Sequence, residues 1–341
     1  MLCLEEENRS HMTPSIEIVE FDGDGNELTA ETFLDYLRPS KDHWHTDMPM
    51  EPEGNRSGFP MYVARSQWCF RGQWNADNWS LTPSSWRETM RPRVELAIAD
   101  GKANGLRDDQ ISEGNFWLNA EASILRAFHR ALEEFGYPVP RFNSSNTYYA
   151  GFSESENEDY VDIAGLAQHH GIPTRLLDWT LDPLTAAYFG ASESFRAGEA
   201  DKLCVWALNL RSPLVRDDGR ETGFLRESQI VVRKQSRHVN DYLRAQKGLF
   251  TEVSLSHGGT DYGFFDRCGR WPSLEEVVRD SYAELDDSLK GIATPTLRKV
   301  VLRESEADRL CERLSREGYK KAILMPTLDN LAADVLGSWA G

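Results

Sequence analysis

Three short runs of this chain gather side chains that can do chemistry. The first is Trp68-Cys69-Phe70-Arg71-Gly72-Gln73, followed by Trp74, Trp79 and Trp86. An arginine ending an apolar, strand-like run offers a planar fork that can grip a phosphate or carboxylate through two parallel bonds. Gly72 beside it would let a ligand approach the backbone. The plainer reading is an arginine paired with an internal acid. The second run is Gln168-His169-His170-Gly171-Ile172-Pro173-Thr174-Arg175-Leu176-Leu177-Asp178-Trp179-Thr180. It places two histidines, an arginine and an aspartate in a helix-turn-strand corner, where buried charge must be paired or used. Its plainer reading is an Arg175 to Asp178 network that pins the corner. The third run, Asn240 to Glu252, passes from a helix-like start to a strand through Gly248. It leaves Gln246 near a turn and Glu252 in or near the strand, where spacing alone suggests an exposed carboxylate.

Metal chemistry is poorly served. His169 and His170 are neighbours on one helix and point about 100° apart, so they do not easily share an ion. The His-x-His of Asp42-His43-Trp44-His45-Thr46-Asp47 lies in a loop without a partner cluster, and no metal is expected. The chain has no Gly-x-x-x-x-Gly-Lys loop, Gly-x-Gly-x-x-Gly, Gly-x-Ser-x-Gly or His-Glu-x-x-His. ATP-driven and Rossmann-type chemistry are thereby demoted.

The elements that must carry these runs are legible in part. Ser15 to Phe21 alternates and ends in turn residues, and Trp68 to Arg71 and Leu203 to Leu208 also read as strands. Arg175 to Trp179 and Ala322 to Met325 complete the expected set. Asn119 to Phe135 has helical spacing ended by Gly136, and Asp162 to His170 is a shorter helix stopped by Gly171. Asp182 is a natural N-cap, with Pro183 in the first turn of a helix through Ala191. Ser305-Glu306-Ala307-Asp308 resembles a capping box for a helix ended by Gly318. Strands and helices mix without strict βαβ alternation, so the fold class is α+β, a single domain with a mixed β-sheet core and surrounding helices. Long loops are expected near 143–159 and 211–227, and Arg38 to Gly58 is also read as loop.

Composition bounds the class. Of 341 residues 40% are hydrophobic, which excludes a disordered or fibrous chain. Lys and Arg number 38 against 55 Asp and Glu, a formal net charge of -17. That excess repels a long phosphate backbone, so extended nucleic-acid binding is not expected, while a small phosphate-bearing ligand stays compatible. Five scattered cysteines without Cys-x-x-Cys spacing read as free thiols of a reducing compartment. No run approaches the roughly 18 to 20 apolar residues of a membrane span. Met1-Leu2-Cys3-Leu4 followed by Glu5, Glu6 and Glu7 is the reverse of a secretory signal. A cytoplasmic protein without a membrane partner is expected, residues 1–12 being a tag or disordered leader and 13–341 the domain.

Taken together and in this order, the clusters resemble the FRG domain family, whose name-giving tripeptide stands here as Phe70-Arg71-Gly72. Gln73 and the run through Leu81-Thr82-Pro83-Ser84 are similar to its opening block, and Glu121 with Phe128 to its helix. Leu166 to Thr180 and Asp182-Pro183-Leu184 through Tyr188-Phe189 resemble its most diagnostic block. Arg244 to Thr251 and Pro326 to Ala332 resemble later ones, so the likeness runs from about Glu17 to Ala333. It implies a bacterial or viral protein of conflict between phage and host, and names the fold better than the reaction.

A second-order resemblance is to arginine-class ADP-ribosyltransferases. Phe70-Arg71-Gly72, Leu177-Asp178-Trp179-Thr180 and Ala186-Ala187-Tyr188-Phe189 are similar, in order, to their early strand, hydroxyl-bearing strand and following helix. Those enzymes use a late strand-borne glutamate in Glu-x-Glu or Gln-x-Glu. Here Gln246 or Glu252 would have to do that work. The likeness implies an ADP-ribosyltransferase-like fold with Arg71, His170, Asp178, Gln246 and Glu252 as the catalytic set. NAD would be the substrate, held by Arg71, Gly72, Gln73, Thr174, Arg175, Thr180 and Tyr188, with Arg71 on the diphosphate. A carboxylate would stabilise the oxocarbenium-like state of nicotinamide-ribose cleavage. The expected function is to hydrolyse NAD or transfer ADP-ribose, in phage defence or as a toxin, with a protein target or phage component as partner. Two rivals stay open: a noncatalytic module that senses a ligand or phage component, and a metal-dependent nuclease using Asp178 and Asp182.

Overall fold

The structure, a computed structural model, describes residues 14–45, 68–140, 158–192, 196, 198–217, 230–233, 245–253, 265, 268–290 and 295–339. Among the described residues there are eight strands: β1 (Ile16–Val19), β2 (Trp68–Gln73), β3 (Leu177–Thr180), β4 (Lys202–Asn209), β5 (Val215–Asp217), β6 (Ile230–Arg233), β7 (Gly248–Val253) and β8 (Leu297–Arg303). They form one sheet in the order β1-β8-β4-β2-β3-β7-β6-β5. The outer pairs β1 with β8 and β5 with β6 are parallel, and the pairs between them are antiparallel. The fold is thus α+β, built on a mixed sheet.

The helices are α1 (Ala30–Leu37), α2 (Arg91–Ala103), α3 (Glu113–Glu134), α4 (Glu158–His169), α5 (Pro183–Ala191), α6 (Leu274–Glu284), α7 (Asp287–Lys290), α8 (Ala307–Arg316), α9 (Lys321–Leu324) and α10 (Leu328–Trp339). Period-2 alternation in β2 sends its residues to opposite faces. Trp68 and Phe70 pack with Phe33 and Leu37 of α1, Ala187 of α5 and Leu310 of α8. Cys69 packs with Trp179, Trp206 and Leu249, and beyond them with Trp86, Trp117 and Trp271. A third cluster joins Leu125 of α3 and Tyr160, Ala164 and Ala167 of α4 to Leu176 and Phe250.

The ladder between strands is uneven, and that positions the site. β2 is registered with β4 over the whole run from Trp68–Asn209 to Gln73–Cys204. With β3 its only registered pair among the described residues is Phe70–Thr180. β3 is in turn registered with β7 from Leu177–Thr251 to Thr180–Gly248. Two sub-sheets therefore join through one residue pair, and the sheet parts at Arg71.

Helix α5 holds β2 at this parting. Asp182 caps it, accepting from the Leu184 and Thr185 amides at 3.0 and 3.4 Å, and Pro183 occupies its first turn. Every residue of α5 except Phe189 is buried, which requires contact all round. The closest contact is at Gly72, where a Cβ would lie 1.9 Å from the Ala186 carbonyl oxygen and 2.5 Å from the Gly190 amide nitrogen. Gly72 thus admits a helix backbone, where a ligand had been expected.

Several expected elements shift. Ala322 to Met325, expected as a strand, lies largely in the single turn α9, because Leu324 and Met325 donate to the Lys320 and Lys321 carbonyls at 3.1 and 2.7 Å. A four-residue apolar run does not distinguish strand from helix. The strand expected at Arg175 begins at Leu177. The box at Ser305 to Asp308 does not cap α8; the Glu306 carboxylate accepts instead from the Ala30 amide at 2.8 Å, at the start of α1. Part of the expected loop at 211–227 is strand β5, and Glu158 and Asp159 open α4. Residues 1–12, 143–157 and 218–227 lie outside the described residues. Among the described residues no helix is long and apolar enough to cross a membrane.

Gly72→Ala should cost about 3 kcal/mol or more, since the clash is with backbone that cannot rotate away. A lowered urea midpoint at unchanged slope would show it.

Candidate functional site

The corner that presents the site is fixed from inside by charge. α4 ends in a turn in which Gly171 takes φ of 79°, and the Ile172 amide returns to the Ala167 carbonyl at 3.0 Å. The chain then drives Arg175, 1% exposed, onto Glu121 of α3, which is 0% exposed. Arg175 Nε donates to Glu121 Oε2 at 3.2 Å, and the Arg175 amide donates to Oε1 at 2.8 Å. The Tyr160 hydroxyl donates to Oε1 at 2.7 Å, and its ring lies 5.2 Å from the guanidinium. On the far side Arg175 Nη1 is 3.8 Å from Glu252 Oε1, and Glu252 Oε2 accepts from Arg233 Nε at 3.0 Å. Two acids and two bases balance. Burial alone would lower the Arg175 pKa, but the charges of Glu121, Tyr160 and Glu252, with the hydrogen bond to Glu121, together outweigh it and keep the guanidinium protonated. Burial, reinforced by Glu121, pushes the Tyr160 hydroxyl well up, so it stays a neutral donor.

Two expectations are corrected here. Arg175 pairs with Glu121 and Glu252 rather than Asp178, because α3 brings a fully buried carboxylate under the turn. Glu252 is 8% exposed and held by two arginines, where an exposed strand carboxylate was expected.

With Arg175 committed inward, Asp178 is left to Arg71. Arg71 Nη1 donates to the Asp178 carbonyl oxygen at 2.8 Å and also to its carboxylate, across the parting between β2 and β3. The Arg71 side chain is 17% exposed and that of Asp178 59%. Arg71 Nε is buried and has no hydrogen-bond partner among the described residues. Crowding by protein pushes the Asp178 carboxyl up, but the charge and hydrogen bond of Arg71 outweigh this and hold it below the usual carboxylate range.

A polar chain supports the pair. Gln168 Nε2 donates to Asp178 Oδ1 at 3.0 Å, and its Oε1 accepts from the Thr174 hydroxyl at 2.6 Å. Thr174 is tied to the 82–87 segment: its amide donates to Ser84 Oγ at 3.0 Å, and its carbonyl accepts from the Ser85 amide at 3.1 Å. That segment carries Arg87, whose Nε donates to the Thr82 carbonyl at 3.0 Å. Although the Arg87 side chain is exposed, crowding by the surrounding protein first, and then the charge of Arg71, lower its pKa, so the two guanidiniums feel each other. Gln168 and Arg87 were not among the expected site residues. Gln168 was detectable as a polar residue on the last turn of a helix, but no spacing marked Arg87.

The structure thus gathers Arg71, Thr174 and Asp178 from the expected set and disperses the others. Gln73 is buried and accepts from Trp206 Nε1 at 2.9 Å. The Thr180 hydroxyl donates to the Gln246 carbonyl at 2.6 Å, and Gln246 Nε2 donates to the Leu324 carbonyl at 3.0 Å. Tyr188 is buried in α5, where burial raises its hydroxyl pKa. His170 is exposed beyond α4, its ring 6.4 Å from that of Phe128. Arg244 lies outside the described residues.

Asp178 and Asp182 serve different partners: Asp182 caps α5 and receives Lys247 Nζ at 3.0 Å. His43 and His45 meet the Tyr36 and Pro39 carbonyls at 3.0 and 2.8 Å. No group of three or more His, Cys, Asp or Glu side chains gathers as a metal site among the described residues.

Chemically, the parting offers an anion anchor beside a partly exposed carboxylate. Residues 66–199 match the family model of the FRG domain. The matched stretch contains Arg71, Arg87, Glu121, Gln168, Arg175 and Asp178, and it ends before Gln246 and Glu252. Comparisons with curated proteins and with solved structures find no match.

Glu121→Ala should destabilise the fold by about 3–5 kcal/mol, since it strands a buried guanidinium. Chemical denaturation reads this directly. An NMR titration of Asp178 should give a midpoint below the ordinary aspartate value of about 3.9, returning upward in Arg71→Ala. Because the folded carboxyl is the stronger acid, the stability contributed by this pair is complete above that ordinary value and is lost as pH falls through the folded midpoint.

Proposed function

We propose that the FRG domain carried by this chain binds a nucleotide by its phosphates at the parting of the sheet, that the nucleotide is NAD, and that the site cleaves its nicotinamide-ribose bond. The observation that carries the reading is Arg71, held across the parting by Asp178 with its Nε still unpartnered among the described residues. A diphosphate competes with Asp178 for the guanidinium, because Asp178 engages it through Nη1 alone whereas a phosphoryl group meets the fork through two nitrogens. Asp178 is then free to face the ribose. In the reaction the bond from C1′ to the pyridinium nitrogen breaks, its electron pair leaves with neutral nicotinamide, and positive charge builds on the ribose. A nearby carboxylate stabilises that charge. Water, or a nucleophile on a protein target, then bonds to C1′ and gives up its proton to solvent. The setting proposed is the bacterial cytoplasm, in conflict with phage.

A second reading is favoured by one observation. The glutamate expected to assist, Glu252, is neutralised by Arg175 and Arg233. If Asp178 alone does not suffice, the same pocket is a noncatalytic sensor of a nucleotide or a phage component.

Incubation of the full chain with NAD should release nicotinamide. Arg71→Ala should abolish both binding and release, whereas Asp178→Asn should keep binding and lose release by about 100-fold or more. NAD binding without release by the wild-type chain supports the sensor, and absence of binding defeats both readings.

A further inference from the structure

The 82–87 segment carries a second cation to the parting. It has no regular ladder of its own and is held by Thr174: Ser84 Oγ donates to the Thr174 carbonyl at 3.2 Å and accepts from its amide at 3.0 Å, and the Ser85 amide donates to the same carbonyl. Trp117 Nε1 donates to the Ser85 carbonyl from the core side. The middle of the segment is thereby anchored, and Arg87 projects from its end with an exposed side chain. Its Nε is used by the Thr82 carbonyl, while its terminal nitrogens have no ion-pair partner among the described residues.

Among the described residues, the charge count at the parting is then two guanidiniums, Arg71 and Arg87, against one carboxylate, Asp178. Two like charges are held within each other's field while only one is compensated. Arg71 also keeps a buried donor, Nε, with nothing to receive it among the described residues. The unpaired buried donor on Arg71 costs free energy unless an acceptor arrives, and the second guanidinium adds positive charge that attracts an anion to the same place. Two forks carried by different parts of the chain, Arg71 on β2 and Arg87 at the end of the 82–87 segment, offer donors to two acceptor groups rather than one.

Resting on the reading that a nucleotide enters at Arg71, we infer that Arg87 is a second anion anchor, and that Arg71 and Arg87 together select a ligand with two linked phosphoryl groups over one with a single phosphate. Each fork grips one phosphoryl. The selection is geometric and does not depend on total charge. At pH 7.5 adenosine monophosphate and ADP-ribose both carry close to two negative charges, concentrated on one phosphoryl in the first and shared between two in the second.

Calorimetric titration of the full chain with ADP-ribose and with adenosine monophosphate separates the possibilities. The wild-type chain should bind ADP-ribose at least tenfold more tightly. Arg87→Gln should weaken ADP-ribose by about tenfold and leave the monophosphate within twofold, and Arg87→Lys should restore only part of the loss because ammonium lacks the fork. Melting temperature should stay near wild type, since Arg87 is exposed. If Arg87→Gln binds ADP-ribose as wild type does while Arg71→Gln does not, the inference about Arg87 fails and nucleotide binding at Arg71 stands. If the wild-type chain binds neither compound, both fail together.

Discussion

The pairing of Arg175 with Glu121, both closed off from solvent, is the constraint on which the rest depends. A carboxylate at 0% exposure on α3 must be met by a cation and by hydrogen bonds. Arg175 supplies the charge, its own amide supplies one bond and the Tyr160 hydroxyl another. The pair ties α3, α4 and the start of β3 to one point, and Glu252 and Arg233 extend it to β7 and β6. Once Arg175 is drawn inward, the extended chain three residues on turns Asp178, near the start of β3, to the other side, where it is exposed. Such a network adds little net stability over a well-packed apolar core. Its effect is to fix which residues face the parting.

The parting has its own cause. β2 is held by β4 along its length and by α5 from one face, with the helix so near that only glycine fits at position 72. β3 follows β7 instead. Twist accumulated on the two sides is not shared by a common ladder, and among the described residues Phe70 with Thr180 is the one registered link between them. Arg71 bridges what the backbone does not, bonding a β3 carbonyl as well as a carboxylate. A side chain in place of a ladder bond can be displaced by a ligand, which a backbone pair cannot.

Local signals carried much of the fold. The N-cap Asp182 with Pro183, the helix across Leu125 and Phe128, and the turn at Gly171 were readable because each rests on neighbours within a few residues. Strand β8 was not: Leu297-Arg298-Lys299-Val300-Val301-Leu302-Arg303 sets three cations among its apolar residues. Only the pairing of Arg298 with Glu17, and of Lys299 with the Ala76 carbonyl and the Trp206 face, makes that tolerable. The four residues at Ala322 carried no period at all. At the site, Arg71 and Asp178 stood out by type, but Arg87 sits in irregular backbone where composition gives no warning.

What the sequence by itself determined is therefore the inventory: an α+β chain, an arginine ending an apolar strand next to glycine, and a charged corner before a capped helix. These follow from side-chain chemistry and short-range spacing. Only the tertiary structure decided the pairing. It turned Arg175 to Glu121 and Arg71 to Asp178, gave Gly72 to a helix backbone and took Glu252 into the core. Which acid meets which base depends on burial and on contacts between residues about fifty to more than a hundred positions apart. No local pattern encodes that choice, because each candidate pair satisfies the same charge rule.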